Sequence, residues 1–187
     1  MPTQGYNNPT AAADAGGGSS NWNSLSDGLT SNDLYAECTV SSGGGFTSNI
    51  IKFTGFGFSI PAGATIDGIE VEIDWWATNI LEEDIIQLYK AGTLVGNNLS
   101  TSSTLPDGVE TTSYKGGPTN LWGTTWTDAD INNSTFGIGI RCINPSMKFS
   151  ATVNIDVVRI RINYTLGSTS ATATGIGTMT GVQSITL

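Results

Sequence analysis

The clearest pattern in the chain lies in the segment 154–164, NIDVVRIRINY, where apolar and polar residues alternate strictly from Val158 onward. Successive side chains of a β-strand point to opposite faces of a sheet, so this alternation predicts a strand with one buried face. The buried face would carry Val158, Ile160, Ile162 and Tyr164, and the other face Arg159, Arg161 and Asn163.

A second segment, residues 66–74, has the same period but the opposite charge. Its apolar positions are Ile69, Val71 and Ile73, and the acidic positions between them are Glu70, Glu72 and Asp74. Opposite charges facing each other across two strands favour one register over its alternatives. We therefore predict that the two strands are antiparallel neighbours, with the two arginines of the first strand set against Glu70 and Glu72.

Short apolar runs separated by glycine, proline and polar turns make up most of the remaining chain. They occupy residues 36–40, 46–58, 85–90 and 136–142. Such runs are typical of short strands, and only one short helical turn is expected, after the N-cap candidate Thr127. The pattern indicates an all-β protein, a single antiparallel β-sandwich of jelly-roll-like type with about seven to nine strands.

Both ends of the chain differ in composition from this central part. Residues 1–20 contain two prolines, three consecutive glycines and little apolar bulk, and residues 167–187 are rich in glycine and threonine. Apolar residues recur three apart near the C-terminus, a period that fits neither a helix nor a strand. We interpret residues 21–166 as the β-sandwich domain and the two ends as extended arms, with flexible tails as the alternative.

The arms are expected to become ordered by lying on neighbouring subunits, because they cannot form a core of their own. The side chains predicted to contact a partner are Tyr6, Ile176, Met179, Val182, Ile185 and Leu187.

Charge and hydropathy narrow the classes of partner. The net charge is −9, from 16 acidic and 7 basic residues, and the basic residues are scattered. Nucleic-acid binding requires clustered lysine and arginine, so we expect no nucleic acid partner. No window approaches 18 apolar residues and no secretory leader is recognisable, so a soluble protein without a membrane partner is predicted.

The chain contains no histidine, the commonest general base near neutral pH and a frequent metal ligand. We therefore expect no enzymatic activity, no cofactor and no metal. Two acidic groups could in principle bind calcium, Glu82-Glu83-Asp84 and Asp128-Ala129-Asp130 with Asn132, but their patterns favour a solvated turn for the first and a helix cap for the second. Cys38 and Cys142 are interpreted as two buried thiols, with a disulfide as the alternative.

The tryptophans suggest a candidate sugar-binding site, because exposed aromatic rings can stack on sugars. Alternation places Trp75 in the core with Val71 and Ile73 and leaves Trp76 facing outward. Trp122 and Trp126 lie beside glycines and are expected to form a packed corner. Trp76 is therefore the candidate sugar-binding residue.

Several segments together resemble a β-sandwich module found in virion proteins of tailed bacteriophages and in some large bacterial surface or repeat proteins. The resemblance covers about residues 20–166 and consists of strand and turn signatures, with no catalytic motif. The segments that carry it are Asn21-Trp22 and residues 56–73, 114–127, 136–140 and 156–165.

A lone sandwich of this type with two arms predicts a non-enzymatic virion structural protein on the outer surface of a capsid, acting as a cement or decoration protein. The expected partners are the major capsid protein and neighbouring copies of the chain, so a homo-oligomer within a larger assembly is predicted. The alternative is a carbohydrate-binding adhesin or a tail-fibre or spike component.

Overall fold

The protein is described by a computed structural model over residues 2–167. Two antiparallel β-sheets pack face to face around one apolar core, which confirms the predicted all-β sandwich. Among residues 2–167, no helix is long and apolar enough to cross a membrane.

The five-stranded sheet contains the two long strands predicted from the alternating patterns. Its order is β1-β11-β6-β9, and β3 pairs with β11 on the same side as β1. The strands are β1 Thr3–Asn7, β3 Ala36–Val40, β6 Thr65–Ala77, β9 Thr111–Gly116 and β11 Ala151–Thr165.

The six-stranded sheet has the order β2-β5-β10-β7-β8, and β4 also pairs with β10. Its strands are β2 Ala11–Asp14, β4 Phe46–Thr47, β5 Ile51–Thr54, β7 Glu82–Lys90, β8 Thr93–Val95 and β10 Gly137–Asn144.

Helical structure is limited to two single turns in the described part of the chain. The predicted turn is present as α1, Asp128–Ile131, and begins with a capping box between Thr127 and Asp130. A 3-10 turn at Leu25–Gly28 was not predicted.

The predicted pairing of the two long strands is confirmed in detail. β6 and β11 are antiparallel, with Arg161 opposite Glu70 and Arg159 opposite Glu72. The Arg161–Glu70 ion pair is 2.6 Å long and the Arg159–Glu72 ion pair 2.5 Å. The Glu72 side chain is nearly buried, so its ion pair with Arg159 is partly shielded from solvent.

The core lies between the sheets and is filled by the apolar positions of the alternating strands. Trp75 is buried in it, as predicted, and its indole nitrogen donates to the Ser113 hydroxyl at 2.9 Å. Trp122 and Trp126 form the predicted packed corner, where the Trp122 indole donates to the carbonyl of Ile69 and Trp126 packs edge-on against Phe136.

The N-terminal segment differs from its predicted arm. Residues 3–7 form β1 in the five-stranded sheet, and residues 11–14 form β2 in the six-stranded sheet. Asp14 anchors the segment because its carboxylate accepts from the backbone of Gly16 and Trp22 and from the Asn49 amide. An edge strand is held by backbone hydrogen bonds to its neighbour, so low apolar content did not prevent sheet formation.

The predicted partner-binding residues at the C-terminus, Ile176, Met179, Val182, Ile185 and Leu187, lie outside the described residues. The interpretation of residues 167–187 as an extended arm stays a prediction.

Candidate ligand-binding face

The outer face of the five-stranded sheet carries a row of functional groups along β6. Strand alternation sends Glu70, Glu72, Asp74 and Trp76 to this side, opposite the core residues Ile69, Val71, Ile73 and Trp75. At about 3.3 Å per residue, the row is about 20 Å long. We call it the β6 row.

At one end of the β6 row, Tyr6 closes a cluster with Arg161 and Glu70. The Tyr6 hydroxyl donates to the Glu70 carboxylate, and the Arg161 guanidinium lies 4.7 Å from the centre of the Tyr6 ring. Partial burial and the hydrogen bond to Glu70 raise the pKa of Tyr6 well above its usual value. Tyr6, predicted to contact a neighbouring subunit, is thus held by contacts within its own chain.

In the middle of the row, Tyr114 of β9 stands opposite Glu72 and is 58% exposed. The charge of Glu72 raises the pKa of the Tyr114 hydroxyl. Arg159 reaches both Glu72 and Asp74, at 2.5 Å and 2.9 Å. The Tyr6 and Tyr114 ring centres are 6.5 Å apart, so two tyrosines and two arginines interleave with the carboxylates.

At the other end, Trp76 is half-buried on the outer face and packs edge-on against Tyr35, with ring centres 5.8 Å apart. The outward orientation predicted for Trp76 agrees with this placement. Burial and the neighbouring Glu110 carboxylate raise the pKa of Tyr35. Aromatic surface therefore occurs at both ends of the β6 row.

The row places flat apolar surface beside hydrogen-bonding groups. Aromatic rings supply flat apolar surface, while carboxylates accept and guanidinium groups donate hydrogen bonds. Residues 2–167 enclose no pocket, so a ligand would lie along an open face.

A second feature of the same face is a group of three acids, Asp74, Glu110 and Asp156, which we call the acid triad. One carboxylate oxygen of each residue lies within 4.8 Å of those of the other two. The residues come from β6, from the loop before β9, and from an irregularity in β11 between Ile155 and Val157. No spacing in the sequence signals the triad, because its members are separated by tens of residues.

The acidic group at residues 82–84 has structural partners. Glu82-Glu83-Asp84 lies in strand β7 and not in the predicted turn. Glu83 is buried between the sheets and accepts from Lys115 at 2.7 Å and from Thr101, while Asp84 pairs with Arg141 at 2.5 Å. The strand at EED was not recognisable from the sequence, because the residues that neutralise Glu83 and Asp84 lie far along the chain.

The second acidic group behaves as its interpretation predicted. Asp130 caps α1 and forms an ion pair with Lys90 at 2.8 Å. Although burial acts to raise it, the pKa of Asp130 is lowered by hydrogen bonds from Lys90 and Thr127.

The two cysteines are free thiols buried in the core, in agreement with the favoured interpretation. Cys38 lies on β3 and Cys142 on β10, in opposite sheets. Burial raises the pKa of Cys38 to about 12 and raises that of Cys142 still further above its usual range. Neither thiol is suited to nucleophilic chemistry at neutral pH.

A third surface feature lies where two loops meet at one end of the sandwich. Loop 41–45 is tied to loop 145–149 because Gly43 and Gly44 donate to the Ser146 carbonyl, and Asn144 bonds the carbonyls of both loops. Met147 is 73% exposed and Phe149 63%, and Phe46 is also exposed. We call these three residues the apolar loop tip.

Comparisons with known proteins are sparse. No family model matches the chain, and no curated protein sequence matches it. One solved structure, described as "CBM4 structure and function", superposes with a TM-score of 0.42 at 13% identity, over 67% of this chain and 82% of that chain. A partial overlap at this identity does not assign the chain to a family.

Proposed function

We propose that the protein is a non-catalytic carbohydrate-binding module of the adhesin or tail-fibre type, with the β6 row as its binding surface. One observation carries the proposal. Two aromatic pairs, Tyr6–Tyr114 and Tyr35–Trp76, share one sheet face with a continuous series of carboxylates and guanidinium groups.

A sugar chain would lie along β6, with the apolar face of a ring against Trp76 or Tyr114 and its hydroxyls toward Glu72 and Arg159. The ion pairs support recognition because they hold donors and acceptors in fixed positions before the ligand arrives. Binding would require no enclosed pocket, since an extended oligosaccharide makes its contacts along a line.

The test is a glycan array followed by titration of any bound glycan with wild type and Trp76→Ala. We expect the variant to bind about tenfold more weakly, equivalent to about 1.4 kcal/mol of lost contact. Tyr114→Ala is the second variant, because this exposed ring can be removed with little effect on folding.

Phe149→Ala is the matched control, since Phe149 is an exposed aromatic residue on the apolar loop tip. Its affinity should equal that of wild type. Absence of glycan binding by wild type, or wild-type affinity in both Trp76→Ala and Tyr114→Ala, would refute the proposal.

A second candidate function is that of a capsid cement or decoration protein. The observation that favours it is the apolar loop tip, because large exposed apolar side chains grouped at one site often mark a protein interface. The resemblance to virion sandwich modules supports the same setting. The major capsid protein would be the partner, and the predicted anchors in residues 167–187 would add contacts.

Copy number in gradient-purified particles, measured by quantitative mass spectrometry, tests this second function. A ratio to the main shell protein near one, or a simple lattice fraction of it, is expected for a cement protein. The double variant Met147→Ser/Phe149→Ser should lower that ratio, and Trp76→Ala should not. A few copies per particle would favour a tail or fibre component, and complete absence would exclude both virion roles.

A further inference from the structure

We propose that the acid triad, Asp74, Glu110 and Asp156, binds a hard divalent cation, with Ca²⁺ the best match. This inference is independent of carbohydrate binding, because it depends only on the carboxylates and their surroundings.

The triad is built into the fold, unlike an accidental group of surface acids. Asp156 is 0% exposed and Asp74 is 6% exposed, and Glu110 is half-buried above them. Asp156 is fixed because the backbone N–H groups of Asn32 and Asp33 both donate to its Oδ1 atom at 3.0 Å. Asp74 is fixed on its other side by Arg159, which donates to Oδ2 at 2.9 Å.

The remaining oxygens of all three residues have no hydrogen-bond partner within the described chain. They are Asp74 Oδ1, Glu110 Oε2 and Asp156 Oδ2, each buried from solvent. A buried carboxylate oxygen without a partner is costly, and three such residues in contact also repel one another. Asp74 and Asp156, both almost fully buried, therefore each keep an unpartnered oxygen in a group whose carboxylates lie within 4.8 Å of one another.

Nearby positive charge does not offset this group. Arg159 is shared between Glu72 and Asp74, and Asp33 adds a further acid close to Glu110. Burial raises the pKa of Glu110, with Tyr35 opposing and the charges of Asp156 and Asp74 adding to the rise. A bound cation would satisfy all three oxygens at once.

Geometry and ligand type identify the class of cation. Ca²⁺ takes oxygen ligands at about 2.3–2.6 Å, so two of its ligands lie at most about 5 Å apart. The triad oxygens meet this limit, being within 4.8 Å of one another. Zinc prefers nitrogen or sulfur ligands, and the triad offers only carboxylates. Water molecules would complete the coordination shell.

Thermal unfolding of the chelator-treated full-length protein, with and without added CaCl2, provides the first test. At a Ca²⁺ concentration about 100 times Kd, the melting temperature should rise by about 5–10 °C. An equal MgCl2 arm should give a smaller rise, because Mg²⁺ demands a stricter octahedral geometry.

Asp156→Asn should abolish the Ca²⁺-dependent rise while keeping the oxygen that accepts from Asn32 and Asp33. Glu110→Gln is the second variant, because this loop residue can be changed without altering a strand. Glu37→Gln is the control: Glu37 is an exposed acid on neighbouring β3 outside the triad, and its Ca²⁺ response should match wild type.

Terbium luminescence provides a readout that does not depend on stability. Tyr35 neighbours Glu110 and contacts Trp76, so a Tb³⁺ ion in the triad should show emission on excitation of these rings. Ca²⁺ should displace the signal, and Asp156→Asn should remove it. The proposal is overturned if Ca²⁺ leaves the melting temperature of wild type unchanged, or if the variants respond as wild type does.

Discussion

The outer faces of the two sheets differ in the residues that their central strands present. On the five-stranded sheet, β6 presents carboxylates and Trp76 and is crossed by the arginines of β11. On the six-stranded sheet, the central strand β10 presents Gly137 and Gly139 outward, because Ile138, Ile140 and Cys142 face the core. The outer face of the six-stranded sheet also has charged and aromatic groups, since Arg141 pairs with Asp84 and Lys52 lies over the Tyr89 ring, but its central strand has glycine where β6 has carboxylates.

Close packing surrounds the outward glycines of β10. A Cβ at Gly139 would meet the Tyr89 ring at 2.9 Å and carbons of Ile50 and Leu94 at 3.1 Å. Glycine at these positions is what allows the close packing. The difference between the faces therefore lies in their central strands: β6 carries a row of polar side chains, whereas the outward glycines of β10 leave room for neighbouring side chains.

The largest effect that would test this comparison is expected at Gly137. A methyl group there would lie 1.9 Å from the carbonyl oxygen of Phe53 on the paired strand β5, so strands must separate to accept it. Gly137→Ala should lower the free energy of unfolding by about 3 kcal/mol, measured by urea denaturation.

Gly139→Ala is the matched control, because its new methyl group would meet side chains, which can move. A loss of about 1 kcal/mol is expected there. We expect the larger loss at Gly137 because its methyl group would meet the backbone. Equal decreases in the free energy of unfolding at Gly137 and Gly139 would contradict this explanation.

A smaller effect is expected at Arg161 on the opposite face. Arg161→Ala removes the ion pair with Glu70 and the contact with the Tyr6 ring, both partly exposed. The free energy of unfolding should fall by about 1 kcal/mol, with a smaller loss at high salt because screening already weakens the pair.

Arg161→Lys sharpens this measurement, since lysine keeps the charge but not the planar group that stacks on Tyr6. It should recover only part of the loss. If Arg161→Ala lowers the free energy of unfolding as much as Gly137→Ala does, the β6 row stabilises the fold. That result would weaken the proposal that the row binds a ligand.

Strands β6 and β11 show which features of the fold can be predicted from the sequence. Their strands, facing and mutual register were all predictable, because alternation fixes the buried face and opposite charges select the pairing. The helical turn at Thr127, the inward Trp75 and the outward Trp76 followed from equally local rules.

The strands β1 and β2 were missed for an equally physical reason. Their residues are small or polar, and their stability comes from backbone bonds to β11 and β5, which sequence patterns do not reveal. The strand position of Glu83 was missed because Lys115, which neutralises it across the core, is 32 positions away.

The two-faced strands and the charge pattern of the β6 row follow from the two-residue period within single strands, and the recurrence of such short strands indicates the β-sandwich class. Long-range folding, by contrast, brings Asp74, Glu110 and Asp156 together, places Arg161 against the Tyr6 ring, and joins the N-terminal residues to both sheets. The β1–β11 pairing joins residues as far apart as Thr3 and Asn163, and such pairing is set by the whole antiparallel topology and not by any local spacing.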